Sequence, residues 1–334
     1  MQSLQDAVDA VARDTGFSGV VRLERGGEIE LSAAYGFADR AHLVPNTVRT
    51  RLGMASGTKT LTALTVMSLV EQEVLTLDTP ARSLLGDDLP LVRDDVTVEH
   101  LLAHRSGIGD YLDEDAVGSI TDYVMPVPVH QLATTEQYLS VLGGHETVSP
   151  PGERFSYNNG GYVLLALLAE RASGEDLPSL VQARVCRPAG MVDTAFLRTD
   201  ELPGNAACGY LAVDGLRTNV LHLPVRGCGD GGAYSTLDDL SAFWDSLLAG
   251  RIVSPETVAD MVRPHSDWPE ESKRYGLGFH LAATGDEIWL EGYDAGVSFI
   301  SLHEPTAAIT YTVISNWSDG AWPIVRLLNQ RLGT

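Results

Sequence analysis

Hydrophobic positions change their spacing along this chain of 334 residues, and the changes predict its elements. Near the N-terminus, Leu4, Val8 and Val11 recur at helical spacing, which predicts a short amphipathic helix. Two strand-like runs follow, and the glycine pair at 26–27 separates them, which predicts a β-hairpin. In residues 58–74, apolar positions lie all around the segment, so we expect a helix that is buried on most sides.

The middle of the chain has helical patterns, and strand patterns return near the C-terminus. We expect helices within residues 96–107, 161–174, 235–250 and 320–333, and strands within 275–283, 287–292, 297–304 and 307–317. The third of these helices is expected to have Ser235 as its N-cap and to end at Gly250. Strands at both ends with helices between them predict an α/β (α+β) fold, in which an antiparallel sheet is built from both termini and a mostly helical domain is inserted.

Composition and charge narrow the function classes. The formal net charge is −22, which argues against a nucleic-acid partner and against attraction to an anionic membrane. No apolar stretch approaches the roughly 20 residues that cross a bilayer, and the N-terminus lacks the pattern of a signal peptide. We therefore expect a soluble protein, cytoplasmic as given, with an exported mature form left open. The oligomeric state does not follow from the sequence.

Candidate chemistry begins at residues 53–60, GMASGTKT, since lysine occurs in this chain only as Lys59 and Lys273. A phosphate-binding Walker A loop needs Gly and Lys adjacent, but Thr58 lies between Gly57 and Lys59. Ser56 and Lys59 are instead three residues apart at a predicted helix start, where they share a helix face. A lysine desolvated there would have a lowered pKa and could activate the serine as a nucleophile. The spacing alone also fits an N-cap serine with a surface lysine.

Other segments decide between these interpretations. Ser56-Gly57-Thr58-Lys59 resembles the first motif of the serine β-lactamase and penicillin-binding-protein superfamily, and Tyr157-Asn158-Asn159 resembles the Tyr-x-Asn motif of its class C β-lactamase and esterase branch. Further similarity to this branch lies in residues 98–107, 187–191, 231–240 and 275–278. The resemblance covers about residues 17–317 and implies a sheet domain, 1–75 with 266–334, a mostly helical domain, 76–265, and an active site in the cleft between them.

The resemblance also implies roles for single residues. Ser56 would form an acyl-enzyme, and Lys59 would take or relay its proton. Tyr157 would be the second acid or base, with a pKa that the nearby ammonium could lower. Asn159 would orient Lys59 and contact the substrate, whereas Asn158 would point elsewhere.

The third motif of this superfamily, Lys-Thr-Gly or His-x-Gly, is altered in this chain. We match it to residues 292–299, which puts Tyr293 at the Lys or His position and Ala295 at the glycine. The backbone N–H of Gly296 would then form an oxyanion hole with that of Ser56. Because Tyr293 carries no positive charge, a penicillin-type anion is expected to bind less well.

The remaining candidates have two interpretations each. Asp230 and Asp294 would attract a substrate amine or be ordinary loop carboxylates, and Tyr111 would be a wall of the pocket or a loop residue. His104 is expected to pack or cap a helix end. No His, Asp or Glu cluster has metal-ligand spacing, so neither a metal nor a cofactor is predicted.

We therefore predict a metal-independent serine hydrolase that acts through an acyl-enzyme on a small-molecule ester, amide or peptide, similar to carboxylesterases or D-amino-acid amidases and aminopeptidases. One alternative is a β-lactamase or D-Ala-D-Ala carboxypeptidase. The other is a non-catalytic binding or sensor protein with the same fold.

Overall fold

The computed structural model describes residues 3–112, 114 and 118–333. The strands are β1 (Gly19–Arg25), β2 (Glu28–Tyr35), β3 (Phe37–Asp39), β4 (Val44–Pro45), β5 (Leu52–Gly53), β6 (Tyr234–Ser235), β7 (Ser266–Trp268), β8 (Lys273–Tyr275), β9 (His280–Ala282), β10 (Ile288–Asp294), β11 (Val297–Glu304) and β12 (Ile309–Ser315). The α-helices are α1 (Leu4–Thr15), α2 (Thr58–Glu71), α3 (Arg82–Leu85), α4 (Val98–Leu102), α5 (Leu139–Leu142), α6 (Asn159–Ser173), α7 (Leu177–Val181), α8 (Arg187–Ala189), α9 (Leu237–Leu248), α10 (Pro255–Met261) and α11 (Ala321–Leu332).

Both ends of the chain build one sheet, as predicted. Among the described residues, eight antiparallel strands lie in the order β2-β1-β12-β11-β10-β9-β8-β7. The β1–β2 hairpin turns at Gly26 and Gly27, whose φ angles of 57° and 84° fit the turn that such hairpins favour. At the other side of β1, Gly19 pairs with Ser315 of β12, so the first and last strands lie side by side in the sheet.

Alternating side chains of the central strands bury both faces of this sheet. Val21 and Val313 belong to a core with α1 and α11, whereas their neighbours Val20 and Ile314 belong to the larger core with α2 and α6. This alternation follows from the two-residue period of a strand. None of the helices in the described part of the chain combines the length and the apolar character needed to span a bilayer.

Helix α2 is buried on all sides from Thr58 to Leu69, although it carries several threonines. Each buried threonine hydroxyl needs an acceptor. Thr60 donates to the carbonyl of Gly278 at 2.6 Å, and Thr62 donates to that of Gly229 at 2.7 Å. These bonds attach the loops at 229 and 278 to the helix that carries Lys59.

The structure corrects two of the predicted elements. The strand expected at 275–283 is two strands, β8 and β9, because the chain bends at Gly278, where φ is 86°. A Cβ atom there would lie 2.3 Å from that of Ala63, so only glycine fits against α2. The N-cap of α9 is Thr236 rather than Ser235, since the Thr236 side chain accepts from the N–H of Asp239.

The division into domains at 75/76 and 265/266 stays a prediction. Helix α9 belongs to the predicted helical domain by its sequence position but contacts the sheet. This helix lies within the segment 76–265, yet it packs on the sheet. Trp244 of α9 donates its indole N–H to Ser301 of β11 at 2.8 Å, and Asp238 forms an ion pair with Arg22 of β1. The sequence pattern of α9 indicates that one face of the helix is apolar, but it does not indicate which element packs against that face.

The indole contact makes a testable contribution to stability. Trp244→Phe should lower the free energy of unfolding by about 2 kcal/mol, because it removes a buried hydrogen bond from Ser301 and leaves space in the core. Urea denaturation measures the change. Leu248→Ala, at a half-exposed position of the same helix, should change it by less than about 0.5 kcal/mol. Equal losses in the two variants would contradict this account.

Candidate active site

Ser56 lies in a single 3-10 turn, Ala55–Gly57, that leads directly into α2. Ala55 has a φ of 44°, a strained conformation for a residue with a side chain. Gly57 allows the turn to approach β11, because a Cβ atom there would lie 2.3 Å from the ring of Phe299. The serine is thus held at the N-terminal end of a buried helix, where the helix dipole favours negative charge.

Lys59 is almost completely buried, with 2% of its surface exposed. Its Nζ donates to three oxygens: Ser56 Oγ at 2.8 Å, Asn159 Oδ1 at 2.7 Å and the Asp230 carbonyl at 2.8 Å. We call these three acceptors the ammonium cage. Because each proton of the ammonium has an acceptor, the charge is tolerated inside the protein.

Burial is the main influence on the protonation of Lys59. It lowers the pKa of the ammonium, while the negative charges of Asp230, Glu114, Asp110 and Asp294 act in the opposite direction. The direction agrees with the sequence-based expectation for a desolvated lysine. A lowered pKa increases the fraction of neutral amine near neutral pH, which is the form that accepts a proton.

Asn159 begins α6 and has two roles at the cage. Its Oδ1 accepts from Lys59, and its Nδ2 donates to Glu114 at 2.9 Å. Asp110 caps the same helix: its carboxylate accepts from the N–H of Asn159 at 2.6 Å and from that of Gly160 at 2.8 Å. Asn158 points away from the cage, as expected, and its Oδ1 accepts from the N–H of Gly161.

Tyr157 lies beside the cage, with its ring centroid 4.9 Å from Lys59 Nζ. The ring of Trp268 is stacked on it, with the centroids 5.6 Å apart. Burial raises the pKa of Tyr157 well above the ordinary value, and the charge of Glu114 acts in the same direction. A lowered pKa was expected from the nearby ammonium, and that expectation is wrong because desolvation of the phenolate is the larger effect.

A cleft of about 840 Å³, open to solvent, lies on one side of Ser56. Its wall is rich in tyrosine and aliphatic side chains: Tyr111, Leu112, Ile120, Tyr123, Met125, Tyr138 and Leu223. Tyr111, a predicted wall residue, is buried and donates its hydroxyl to the carboxylate of Asp230. The described lining of this side contains three carboxylates, those of Glu114, Asp230 and Asp294, and neither Lys nor Arg.

The cleft continues on the other side of Ser56, where Tyr157 and two tryptophans form the wall. Trp268 comes from the β7 end and Trp322 from α11. Lys273, the second lysine of the chain, forms an ion pair with Glu291 at 3.1 Å, and Trp289 donates its indole N–H to the same carboxylate. Ser56 therefore lies between two differently lined halves of one cleft.

The predicted third motif is placed differently by the structure. Gly296 is in the turn between β10 and β11, and its N–H donates to Ser318 Oγ at 2.9 Å. Because that donor is already used, the prediction that Gly296 completes the oxyanion hole is wrong. The residue that lies against the turn containing Ser56 is Gly292 of β10: a Cβ atom there would lie 2.1 Å from the Met54 carbonyl and 2.9 Å from the Ser56 nitrogen.

Tyr293 follows this glycine and borders both halves of the cleft. Its side chain is 37% exposed, and its hydroxyl donates to Asp319 at 3.3 Å. Burial and the charge of Asp319 raise the pKa of Tyr293 to about 12, so it is a neutral donor at neutral pH. Tyr293 thus borders the site, but it does not occupy the lysine position of the third motif. In Lys-Thr-Gly the lysine comes two positions before the glycine, whereas Tyr293 comes one position after Gly292.

Three carboxylates of the site have raised pKa values, those of Asp110, Asp230 and Asp294. Burial raises the pKa of Asp294 to about 7, and repulsion from Glu114 and Asp230 adds to this. Burial also raises the pKa of Asp110 to about 6, although the N–H groups of α6 favour its charged form. The cleft therefore gains negative charge as the pH rises through neutrality.

Sequence reasoning missed Asp110, Glu114, Gly292 and Glu291. Asp110 and Glu114 lie in an acidic loop where nothing in the pattern distinguishes them from solvated residues. Gly292 gives a weak signal, since a glycine inside a strand often marks a close approach of another backbone. In the part of the chain that the structure describes, no group of three or more His, Cys, Asp or Glu side chains is arranged to hold a metal ion.

The family model for Beta-lactamase matches residues 4–325. The chain belongs to this family. Esterase EstB of Burkholderia gladioli is 31% identical over 315 residues, which are 84% of this chain and 79% of EstB. A penicillin-binding protein of Bacillus subtilis is 27% identical over 309 residues, or 88% of this chain, and the chain spans about two thirds of the length of the Bacillus subtilis relatives that it matches.

A solved penicillin-binding protein from Bacillus halodurans has the same fold. It superposes with a TM-score of 0.90 over 97% of this chain and 99% of that chain, at 34% identity. The antiparallel sheet with its helices is therefore the fold of the Beta-lactamase family, and proteins of this family are serine hydrolases.

The close contact at Gly292 can be tested by adding one methyl group. Gly292→Ala should push β10 away from the Ser56 turn, because its Cβ atom overlaps the Met54 carbonyl. We expect kcat to fall about 100-fold, as for a displacement near 1 Å, and stability to fall by about 1–3 kcal/mol. Ester hydrolysis and urea denaturation measure the two effects.

The matched control is Gly204→Ala, where an added Cβ atom meets nothing within 4 Å. It should leave both quantities nearly unchanged. A Gly292→Ala enzyme with normal kcat would show that the approach of β10 to Ser56 has no importance for catalysis.

Proposed function

We propose that this protein is a serine hydrolase that acts through an acyl-enzyme at Ser56 on esters or small amides. The observation that carries the proposal is the 2.8 Å contact between Lys59 Nζ and Ser56 Oγ inside the ammonium cage. A serine hydroxyl needs a base to become a nucleophile, and the neutral amine of Lys59 would be that base. Membership of the Beta-lactamase family supports the same conclusion.

Acylation begins with Lys59 as a neutral amine. Lys59 takes the proton of Ser56 while Oγ attacks the substrate carbonyl, and the carbonyl oxygen becomes an oxyanion. As this intermediate collapses, Tyr157 donates its phenolic proton to the leaving group, and the bond between that group and the carbonyl breaks. The raised pKa of Tyr157 fits this order, because its phenol is protonated in the resting enzyme.

Deacylation returns both protons. The Tyr157 phenolate, stabilised by the charge now on Lys59, takes a proton from water, whose oxygen attacks the acyl carbonyl. Lys59 gives its proton back to Ser56 Oγ as the acid leaves. We assign the oxyanion site to the N–H of Ser56 and to the backbone of β10 after Gly292, the segment that lies against the Ser56 turn.

The charges of the cleft favour a neutral or cationic substrate over a penicillin-type anion. Asp230, Asp294 and Glu114 line the tyrosine-rich half, and Lys273 on the other side is paired with Glu291. A negative substrate would meet net repulsion in both halves. Ester hydrolysis is therefore our first proposal, and β-lactamase or D-Ala-D-Ala carboxypeptidase activity is the alternative within the family.

Labelling of the nucleophile tests the mechanism. A fluorophosphonate should add one phosphonyl group to the wild-type protein with loss of fluoride, and Ser56→Ala should remove both this adduct and the hydrolysis of p-nitrophenyl butyrate. Intact-mass measurement and absorbance follow the two reactions. Penicillin is the comparison reagent, and we expect neither a stable adduct nor rapid turnover.

Three outcomes would overturn parts of the proposal. No adduct with either reagent would favour a non-catalytic binding or sensor protein. An adduct that persists in Ser56→Ala would assign the nucleophile elsewhere. Rapid turnover of penicillin would overturn the preference for esters over β-lactams.

The charge of Asp294 predicts a pH-dependent substrate preference. Its pKa is raised to about 7, so the carboxyl is neutral below that pH and negative above it. The p-nitrophenyl esters of 4-(trimethylammonio)butanoate and 5,5-dimethylhexanoate have the same shape, and the first keeps its positive charge at every pH. The ratio of their kcat/KM values, cationic over neutral, should be on the order of fivefold higher at pH 8 than at pH 6.

The control for this experiment removes the titrating group. Asp294→Asn should make the ratio nearly independent of pH, whereas Asp214→Asn, at an exposed position outside the cleft, should leave the wild-type profile. A ratio that is constant with pH in the wild type, or a slope that survives in Asp294→Asn, would contradict the role given to Asp294.

A further inference from the structure

His104 has an unusual backbone for a residue of its type. It follows the C-terminal end of α4 with a φ of 54°, in the left-handed region where glycine is the usual residue after a helix. Its side chain is buried, with 1% of its surface exposed. Because a left-handed backbone is unfavourable for a residue with a side chain, the contacts of the buried imidazole must compensate for it.

His104 accepts hydrogen bonds from the two residues that flank Tyr157 in the sequence. The His104 carbonyl accepts from the N–H of Ser156 at 2.8 Å, and its Nδ1 accepts from the N–H of Asn158 at 3.0 Å. The imidazole also packs on the ring of Tyr157, with centroids 4.4 Å apart. One residue thus contacts the tyrosine and both of its neighbours.

The acceptor role of Nδ1 defines the protonation state of the ring. Since Nδ1 accepts, the single proton of the neutral imidazole is on Nε2, which has no hydrogen-bond partner among the described residues. The ring is surrounded by Tyr162 and Tyr275, with centroids at 4.9 and 4.7 Å. Burial lowers the pKa of His104 well below the ordinary value, and the charge of Lys59 acts in the same direction.

A second proton on the His104 imidazole would be unfavourable in these surroundings. The titratable groups around the ring are Lys59, His280 and the phenols of Tyr157, Tyr162 and Tyr275. Among them only Lys59 and His280 can carry a positive charge, and no carboxylate contributes to the shift. Protonation would also place an N–H on Nδ1, facing the N–H of Asn158. The imidazole therefore stays neutral, as a fixed acceptor.

We propose that His104 is a positioning residue, whose neutral imidazole holds Tyr157 against Lys59 through the hydrogen bond from Asn158. The inference rests on the proposed function, because it gives His104 a role only through Tyr157. The same bond fixes the start of α6, where Asn159 joins the ammonium cage. His104 thus sets the positions of two residues that contact Lys59 without contacting Lys59 itself.

Two variants distinguish the effect of losing the hydrogen-bond acceptor from the effect of relieving the backbone strain. Asn and Gly both adopt the left-handed conformation readily, so His104→Asn and His104→Gly should both fold. Asn places an oxygen at the position of Nδ1, whereas Gly has no acceptor. We expect His104→Gly to lower kcat for p-nitrophenyl butyrate by at least 30-fold with KM changed less than threefold. His104→Asn should recover at least tenfold of that loss.

A control separates positioning from general destabilisation. Leu164→Ala enlarges a separate pocket that Leu164 lines with Leu89 and Leu142, and Tyr157 is not part of that lining. It should keep kcat within twofold of the wild type. Equal kcat values for His104→Asn and His104→Gly would overturn the proposal, as would a normal kcat in His104→Gly.

Nitrogen-15 NMR of the wild type gives an independent test. It should show the proton on Nε2 and no titration of His104 between pH 5 and 8, and a titration in that range would also overturn the proposal. Failure of the hydrolase proposal would appear differently, as absence of fluorophosphonate labelling in the wild type. His104→Gly is expected to label at Ser56 while turning over slowly.

Discussion

The burial of one ammonium group is the constraint on which the rest of the site depends. An ammonium inside a protein is tolerated only when acceptors surround it. The three acceptors of Lys59 come from three parts of the chain, which are the turn before α2, the start of α6 and the glycine-rich loop at Asp230. Helix packing and loop geometry must therefore agree to within hydrogen-bond distance. Gly229 makes this possible, because a Cβ atom there would lie 2.2 Å from the Tyr162 carbonyl.

The same burial sets the protonation of the surrounding groups. Desolvation disfavours every charge, so it lowers the pKa of Lys59 and raises those of Tyr157 and Asp294. Shifts of opposite sign favour the neutral amine of Lys59 and the protonated phenol of Tyr157, which are the base and the acid that the proposed acylation requires. A binding protein with this fold would gain nothing from a buried lysine beside a serine hydroxyl. The cost of burying Lys59 therefore supports catalysis over simple recognition.

The sequence was most informative where regularly spaced apolar residues or a local motif indicate an element. Apolar spacing predicted most of the helices and strands, and the glycine pair predicted the first hairpin. The motif resemblance at Ser56 and Tyr157, rather than the Ser56–Lys59 spacing alone, indicated the candidate nucleophile. The sequence was least informative in the third motif, where Gly292 and Gly296 both fit a loose pattern. Only the contact with the Met54 carbonyl distinguishes them, and that contact joins residues more than 200 positions apart. The pKa of Tyr157 was missed for the same reason, since sequence shows a neighbouring charge but not the depth of burial.

An aromatic shell surrounds Tyr157 and consists of the rings of His104, Trp268, Tyr275 and His280. The His104 imidazole packs on the Tyr157 ring at 4.4 Å and Trp268 stacks on it at 5.6 Å, so the phenol has little freedom to leave Lys59. Such fixed geometry matters for the proposed mechanism, in which Tyr157 acts first as an acid and then as a base at the same carbonyl. The substrate-binding walls differ in kind: one half of the cleft is tyrosine-rich and acidic, and the other contains tryptophan and a paired lysine. In the proposed mechanism, the ammonium cage and the aromatic shell therefore position the reacting groups, whereas the walls of the cleft determine which substrate binds.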